Sequence, residues 1–199
     1  MKIIHCGLVL ALLSTAACDP VTITIGGAAI AGTTAICNEK GIVGSLADGK
    51  LQTKINHHVY CKDEDIFDRM ELCVKHGMVV VTGYFKNEEQ RRRAMALVKE
   101  VTDDCAVFDE TKVRGKPTAR EYFVDSNITS RIKSALAFDG NVQSFNYDIT
   151  TVNGIVYVCG TAHSKFERDV VLHSARVTSD VKQVVAYIKL VKKTETAKN

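Results

Sequence analysis

His57 and Cys61 stand four residues apart, a spacing that puts two side chains on one face of a helix, with His58 between them and Asp63 and Asp65 just beyond. Imidazole, thiolate and carboxylate in that order could begin a zinc site, although a closed structural site takes four ligands. Cys159 and His163 are also four apart, and a cysteine activated by a neighbouring histidine is the pattern of a nucleophilic hydrolase. A different chemistry is offered by Cys18, which follows Ser14-Thr15-Ala16-Ala17 at the close of an apolar run over residues 3–13. Small residues ending such a run behind Met1-Lys2 have the shape of an export signal, with a cysteine placed for acylation.

A larger pattern constrains the first two sites. Residues 48–107 are echoed by residues 125–184 at a constant offset of 77, without a gap. Asp48 recurs as Asp125, Leu51 as Ile128, Ile55 as Ile132 and Val59 as Leu136. Residues 75–83 recur as 152–160, Arg91 as Arg168, and Val107-Phe108 as Val184-Val185. One small unit has been duplicated. In the second copy His57, His58 and Cys61 become Ser134, Ala135 and Phe138, while Cys159 takes the place of Thr82. An imidazole near a helix C-terminus is accounted for by the helix dipole, and a strand cysteine by packing as a small apolar residue. No glycine-rich loop follows a strand and opens a helix, so a nucleotide has no seat. The expectation is a protein without catalytic residues, metal ligands or a cofactor, and not an enzyme.

Each unit yields the same order of elements. Asp48 and Asp125 are placed as helix N-caps, and apolar residues every fourth position (51, 55, 59 and 128, 132, 136) draw one stripe along the helix that follows. Met70-x-Leu72-x-Val74 and Tyr147-x-Ile149-x-Thr151 alternate as half-buried strands do. His76-Gly77 and Asn153-Gly154 are two-residue turn signals, and the strands after them, 78–82 and 155–159, end at Gly83 and Gly160. Second helices over 87–101 and 164–177 and last strands over 105–108 and 184–190 close the units, with Ala94, Leu97, Val98 and Val101 facing inward. The fold class is α+β: two tandem α-β-β-α-β modules, each a three-stranded mixed sheet with two helices on one face. Arg91 and its repeat Arg168 are expected to brace the modules rather than bind a ligand, and the polar linker over 111–121 is expected to be exposed.

The remaining segments divide into a signal peptide (1–17), an anchor and Gly/Ala-rich tether (18–45), the modules at 46–115 and 122–192, and a mobile tail (193–199). Removing the signal takes away Lys2 and leaves 25 of the 26 lysines and arginines against 23 acidic residues. Such a balance excludes a dedicated nucleic-acid binder, which concentrates positive charge. Cys37, Cys61, Cys73, Cys105 and Cys159 are an odd set outside signal and anchor, with no CxxC among them; three of them, Cys61, Cys73 and Cys105, lie in the first module, where an oxidising compartment could join two, and sequence leaves the pair open.

A helix with an early Asp, the hairpins Gly77-Met-Val-Val-Val-Thr-Gly83 and Gly154-Ile-Val-Tyr-Val-Cys-Gly160, an arginine eight residues later and a closing valine-rich strand resemble the BON domain. Thr15-Ala16-Ala17-Cys18 resembles a bacterial lipobox. Two such domains behind a lipobox look like the periplasmic lipoproteins of the OsmY and DolP type. The resemblance implies a lipid-anchored periplasmic protein, attached through Cys18, that binds membrane phospholipid, anionic lipid above all, and supports outer-membrane integrity. It places the lipid contact on residues 122–136, with Ile128, Ile132 and Leu136 in the core and Asn127, Arg131 and Ser134 outward. The family's interfacial tryptophan falls at Asn127, and the chain has no tryptophan, so Tyr122 and Phe123 take over as anchors, with Arg131 and Lys133 meeting phosphates. Asp19 after the lipidated cysteine resembles an inner-membrane retention signal, so either membrane can hold the anchor. The alternative function is an adaptor docking an envelope assembly protein.

Overall fold

The computed structural model describes residues 39–102 and 105–191, with side chains from Leu46 onward. The signal peptide, Cys18, Asp19, the tether as far as residue 38, Cys37 and the tail over 193–199 lie outside the described residues.

The first module runs through helices α1 (Glu39–Lys62) and α2 (Glu64–Phe67), strands β1 (Met70–Lys75) and β2 (Met78–Phe85), helix α3 (Glu88–Lys99), and strands β3 (Ala106–Asp109) and β4 (Lys112–Val113). The second runs through α4 (Ala119–Phe138), a 3-10 turn (Ser144–Asn146), β5 (Tyr147–Val152), β6 (Ile155–Ala162), α5 (Lys165–Val177) and β7 (Gln183–Leu190). In both sheets the central strand pairs antiparallel with the strand before it and parallel with the strand after the helix. The first sheet has a fourth strand that the repeat did not predict: β2 continues past Gly83, and Tyr84 and Phe85 pair with Lys112 and Val113 of the linker. A buried backbone needs hydrogen-bond partners, and the linker supplies them.

Residues 39–45, assigned to the tether, are helical. The apolar stripe downstream, with Ile55 and Val59 fully buried, secures the helix, and adding turns to an existing helix costs far less than starting one. The true start of α4 is Thr118, whose Oγ1 accepts from the Glu121 amide (3.2 Å) while Glu121 Oε2 accepts from the Thr118 amide (2.8 Å).

Asp48 and Asp125 therefore lie inside helices and cap nothing there. Both are buried, and both carboxylates reach the hairpin turn 28 residues on. Asp48 accepts from His76 N at 2.9 Å; Asp125 accepts from Asn153 N at 2.7 Å and from Gly154 N at 2.8 Å. The turn residues have positive φ (His76 50°, Gly77 76°, Asn153 55°, Gly154 75°), the two-residue hairpin geometry whose twist suits the strands. One buried aspartate ties the first helix to the first hairpin of each module.

Gly83 and Gly160 do not end their strands. A Cβ on Gly83 would stand 2.1 Å from the Arg69 carbonyl oxygen, and one on Gly160 would stand 2.5 Å from that of Asn146. The glycines admit the backbone that enters β1 and β5.

On β2, Val79, Val81 and Phe85 pack with Ile55, Val59, Ala94, Leu97 and Val98 of α1 and α3. On β6, Val156, Val158 and Ala162 pack with Ile128, Ile132, Leu136, Val171 and Ala175 of α4 and α5. The alternate side chains point to the other face of each sheet, and these faces meet. Cys73, Val80 and Phe108 lie against Cys159 and Tyr187, and Tyr84 lies against Val152 and Tyr157. The Phe108 and Tyr187 rings are 4.6 Å apart at 43°. The Tyr157 hydroxyl donates to the Glu110 carbonyl (3.4 Å), and the Tyr187 hydroxyl donates to the Glu110 carboxylate. The linker expected to be exposed is docked: Thr111 is buried, and Arg114 sits 4.8 Å over the Tyr84 ring while its Nη2 bonds Glu121 at 2.8 Å.

Candidate membrane-contact surface

Helix α4 buries Asp125, Ile128, Ile132 and Leu136 along one side. At 100° per residue (3.6 per turn), the opposite side carries Phe123, Asn127, Arg131, Ser134 and Phe138, all exposed. Four of the six expected contacts thus share this outer stripe. Tyr122 and Lys133 fall on the flank, where they line a groove of about 920 Å³ between the modules with Arg69, Tyr84 and Ser126. There Lys133 Nζ lies 3.8 Å from Asp148 Oδ1, so its charge is shared with a carboxylate.

The stripe is apolar at its two ends: Phe123 is 68% exposed and Phe138 90%. They are separated by about 22 Å along the axis at 1.5 Å per residue. Beyond Phe138, the connection to β5 and the start of α5 present Phe145 (72% exposed) and Phe166 (64%). Glu167 holds that end together. Its Oε1 accepts from Gln143 N at 3.1 Å and its Oε2 from His163 N at 2.8 Å, while its own amide donates to the Ser164 hydroxyl. The sequence reading missed Phe145 and Phe166, and gave Phe138 no lipid role. Subtracting the repeat would have found them: positions 138, 145 and 166 correspond to Cys61, Asp68 and Glu89 in the first module. Large exposed apolar side chains gathered at one end of a module mark an interaction surface.

At the N-terminal end of α4, the Arg114 guanidinium and the Thr118 cap hold the Glu121 carboxyl down at about 2. The same happens to Asp65 in the first module, which Lys86 and then Gln90 and Arg69 lower to about 2.

The catalytic and metal patterns do not assemble. Among the described residues no group of three or more His, Cys, Asp and Glu is placed to hold a metal ion. Cys61 Sγ lies 3.7 Å from His57 Nε2, but His58 turns to Glu100 at 2.8 Å. Cys159 is buried between the sheets beside Cys73, while His163 Nε2 lies 3.4 Å from Asn146 Nδ2. The repeated arginines differ: Arg91 braces α3 to β3 through Asp109 (3.0 Å) and Thr111 (3.1 Å), whereas Arg168, among the described residues, pairs with its neighbour Asp169 (2.8 Å). No helix among the described residues is long and apolar enough to cross a membrane.

Comparison with known proteins places these features in a family. The BON domain family model matches residues 47–115 and again residues 124–192. An Anaplasma centrale protein, "Uncharacterized protein in gshII 5'region", is 32% identical over 151 residues, covering 73% of this chain and 95% of that protein. The outer membrane lipoprotein DolP of Haemophilus influenzae is 27% identical over 172 residues, 85% of this chain and 87% of its own. The osmotically-inducible protein Y of Escherichia coli is 29% identical over 126 residues, 61% of this chain and 63% of its own. Among solved structures, CdsD, a structural protein of the type III secretion system of Chlamydia trachomatis, aligns at 15% identity with a TM-score of 0.32, over 74% of this chain and 65% of that one.

Proposed function

Because the chain belongs to the BON domain family and carries two of its modules, we propose that it is a lipid-anchored envelope protein that binds membrane phospholipid through its second module and catalyses no reaction. The similarity to an outer membrane lipoprotein over most of both chains supports envelope placement. Acylation of Cys18 would hold the chain at the periplasmic face of a membrane, the outer membrane favoured and Asp19 leaving the inner membrane open, in support of envelope integrity.

The observation that carries the lipid reading is the set of exposed phenylalanines at 123, 138, 145 and 166, three of which have polar or small counterparts in the first module. Full burial of one phenylalanine side chain is worth about 1.5–3 kcal/mol, and a basic residue near an anionic surface about 1 kcal/mol. The aromatic residues therefore outweigh Arg131, and Asn127 and Ser134 serve as polar contacts at headgroup depth. Tyr122 and Lys133 border the groove and act at the edge of the surface.

Flotation of residues 19–199 with phosphatidylethanolamine–phosphatidylglycerol vesicles tests this. Phe123→Ala with Phe138→Ala should weaken binding at least tenfold, and Arg131→Ala by about fivefold. Binding unchanged by the double substitution would remove the outer face of α4 from the account and leave docking of an envelope protein as the better function.

A further inference from the structure

Cys73 and Cys159 belong to different modules and to one buried cluster. Cys73 is on β1, whose register across the first sheet runs Cys73, Val80, Phe108. Cys159 is on β6, whose register across the second runs Asp148, Cys159, Tyr187. These two rows are the ones that lie on each other: Phe108 meets Tyr187 at their ends, and Cys73, Val80 and Cys159 form the buried cluster between. Cys61 is exposed on α1 and the half-buried Cys105, beside β3, packs against the helix-side core of the first module, so neither faces the partner sheet. Neither member of the pair is part of the duplicated frame, since their counterparts are Thr150 and Thr82.

We propose that Cys73 and Cys159 form a disulfide site, a covalent staple between the two modules. The two thiols are buried side by side. The oxidant is an external disulfide of the kind an export compartment supplies. The Cys73 thiolate attacks one sulfur of that disulfide and expels a first thiolate. The Cys159 thiolate then attacks Cys73 Sγ in the mixed disulfide and expels the second. Two thiols lose two protons and two electrons, and the external disulfide leaves as two thiols. Cys73 is the point of attack, because β1 is an edge strand whereas β6 is flanked on both sides. The neighbouring Cys159 thiol, and burial after it, push the Cys73 thiol well above its ordinary value. Oxidation of the folded protein at neutral pH is accordingly slow and accelerates with any opening between the sheets.

Oxidation in a living cell depends on the envelope placement proposed above, so the site and the placement need separate tests. The full-length chain, held in mild detergent, is incubated with oxidised glutathione, quenched in acid, unfolded, treated with N-ethylmaleimide and digested for mass spectrometry. The expected product is one peptide pair joined through Cys73 and Cys159, two hydrogens lighter than the reduced peptides. Cys73→Ser and Cys159→Ser should each abolish it, and Cys61→Ser and Cys105→Ser should leave it. The urea midpoint should rise on oxidation of the wild type and not of Cys73→Ser. Maleimide on both cysteines after prolonged oxidation would overturn the proposal, as would either one linked to Cys37, Cys61 or Cys105. Cells alkylated at lysis supply the second arm: a pair that links in glutathione but is found reduced in the cell would overturn the envelope placement and leave the site standing.

Discussion

The two modules use one frame for two surfaces. Both tie the first helix to the hairpin turn with a buried aspartate, both set glycine where the chain enters β1 or β5, and both start the second helix with the same reciprocal cap. In that cap Asn87 or Ser164 accepts from the amide three residues on, and Gln90 or Glu167 accepts from the amide of Lys86 or His163. The differences lie outside. The first module spends its extra elements, α2 and β4, on binding the linker and bracing itself, and it shows Cys61, Asp68 and Glu89 where the second shows Phe138, Phe145 and Phe166. Duplication kept what the hairpin and core require and released the rest, so the first copy holds the linker while the second exposes phenylalanines.

The comparison breaks most readily in the core. Ile55→Ala and Ile132→Ala remove equivalent fully buried side chains, and each should cost about 2–5 kcal/mol in urea unfolding. Because the sheets cover each other, both variants should unfold in one transition; two separated transitions would show that the modules are independent. Next come the aspartates. Asp125 serves two amides and Asp48 one, and a hydrogen bond to a charged group is worth about 1.5–3 kcal/mol. Asp125→Ala should therefore destabilise by about 3 kcal/mol and Asp48→Ala by about half as much. Equal costs would mean that the second bond of Asp125 contributes nothing. For the repeated arginines, Arg91→Ala should cost up to about 1 kcal/mol and Arg168→Ala close to none, since an exposed pair is worth little. The smallest effect is a pH dependence at the α4 cap. Glu121 titrates at about 2, below its ordinary 4.5, so its stabilisation is complete above pH 4.5 and is lost as pH falls through about 2. Urea midpoints of the wild type and Glu121→Gln should converge over that window; a constant difference would place the cap's contribution elsewhere.

The repeat made the fold legible. Period-four stripes at 51, 55 and 59 and at 128, 132 and 136 identified the core side of both first helices, and alternation identified β1 and β5. What the stripes could not reveal was the second face of each sheet, because Val80, Tyr84, Tyr157 and Cys159 read as ordinary strand residues until the two sheets meet. The aspartates were misread as caps for a physical reason: an Asp ahead of an apolar stripe is the signature of a helix start, and only its constant distance of 28 residues from each turn tells otherwise. On the proposed surface, helical spacing placed Phe123, Asn127, Arg131 and Ser134 together, while Phe145 and Phe166 come from segments brought to the end of α4 by Glu167. Tertiary closure of that kind leaves no local period in a sequence.

Face-to-face seating also bears on what a module without its sister would present to water. Each sheet has two sides, one under its helices and one under its sister, and among the described residues the two units cover both sides of both sheets. A third copy appended to the tail would arrive with Val80- and Phe108-like residues facing water, so extension should proceed by couples, and an orphaned half released by proteolysis should be the sticky, short-lived species.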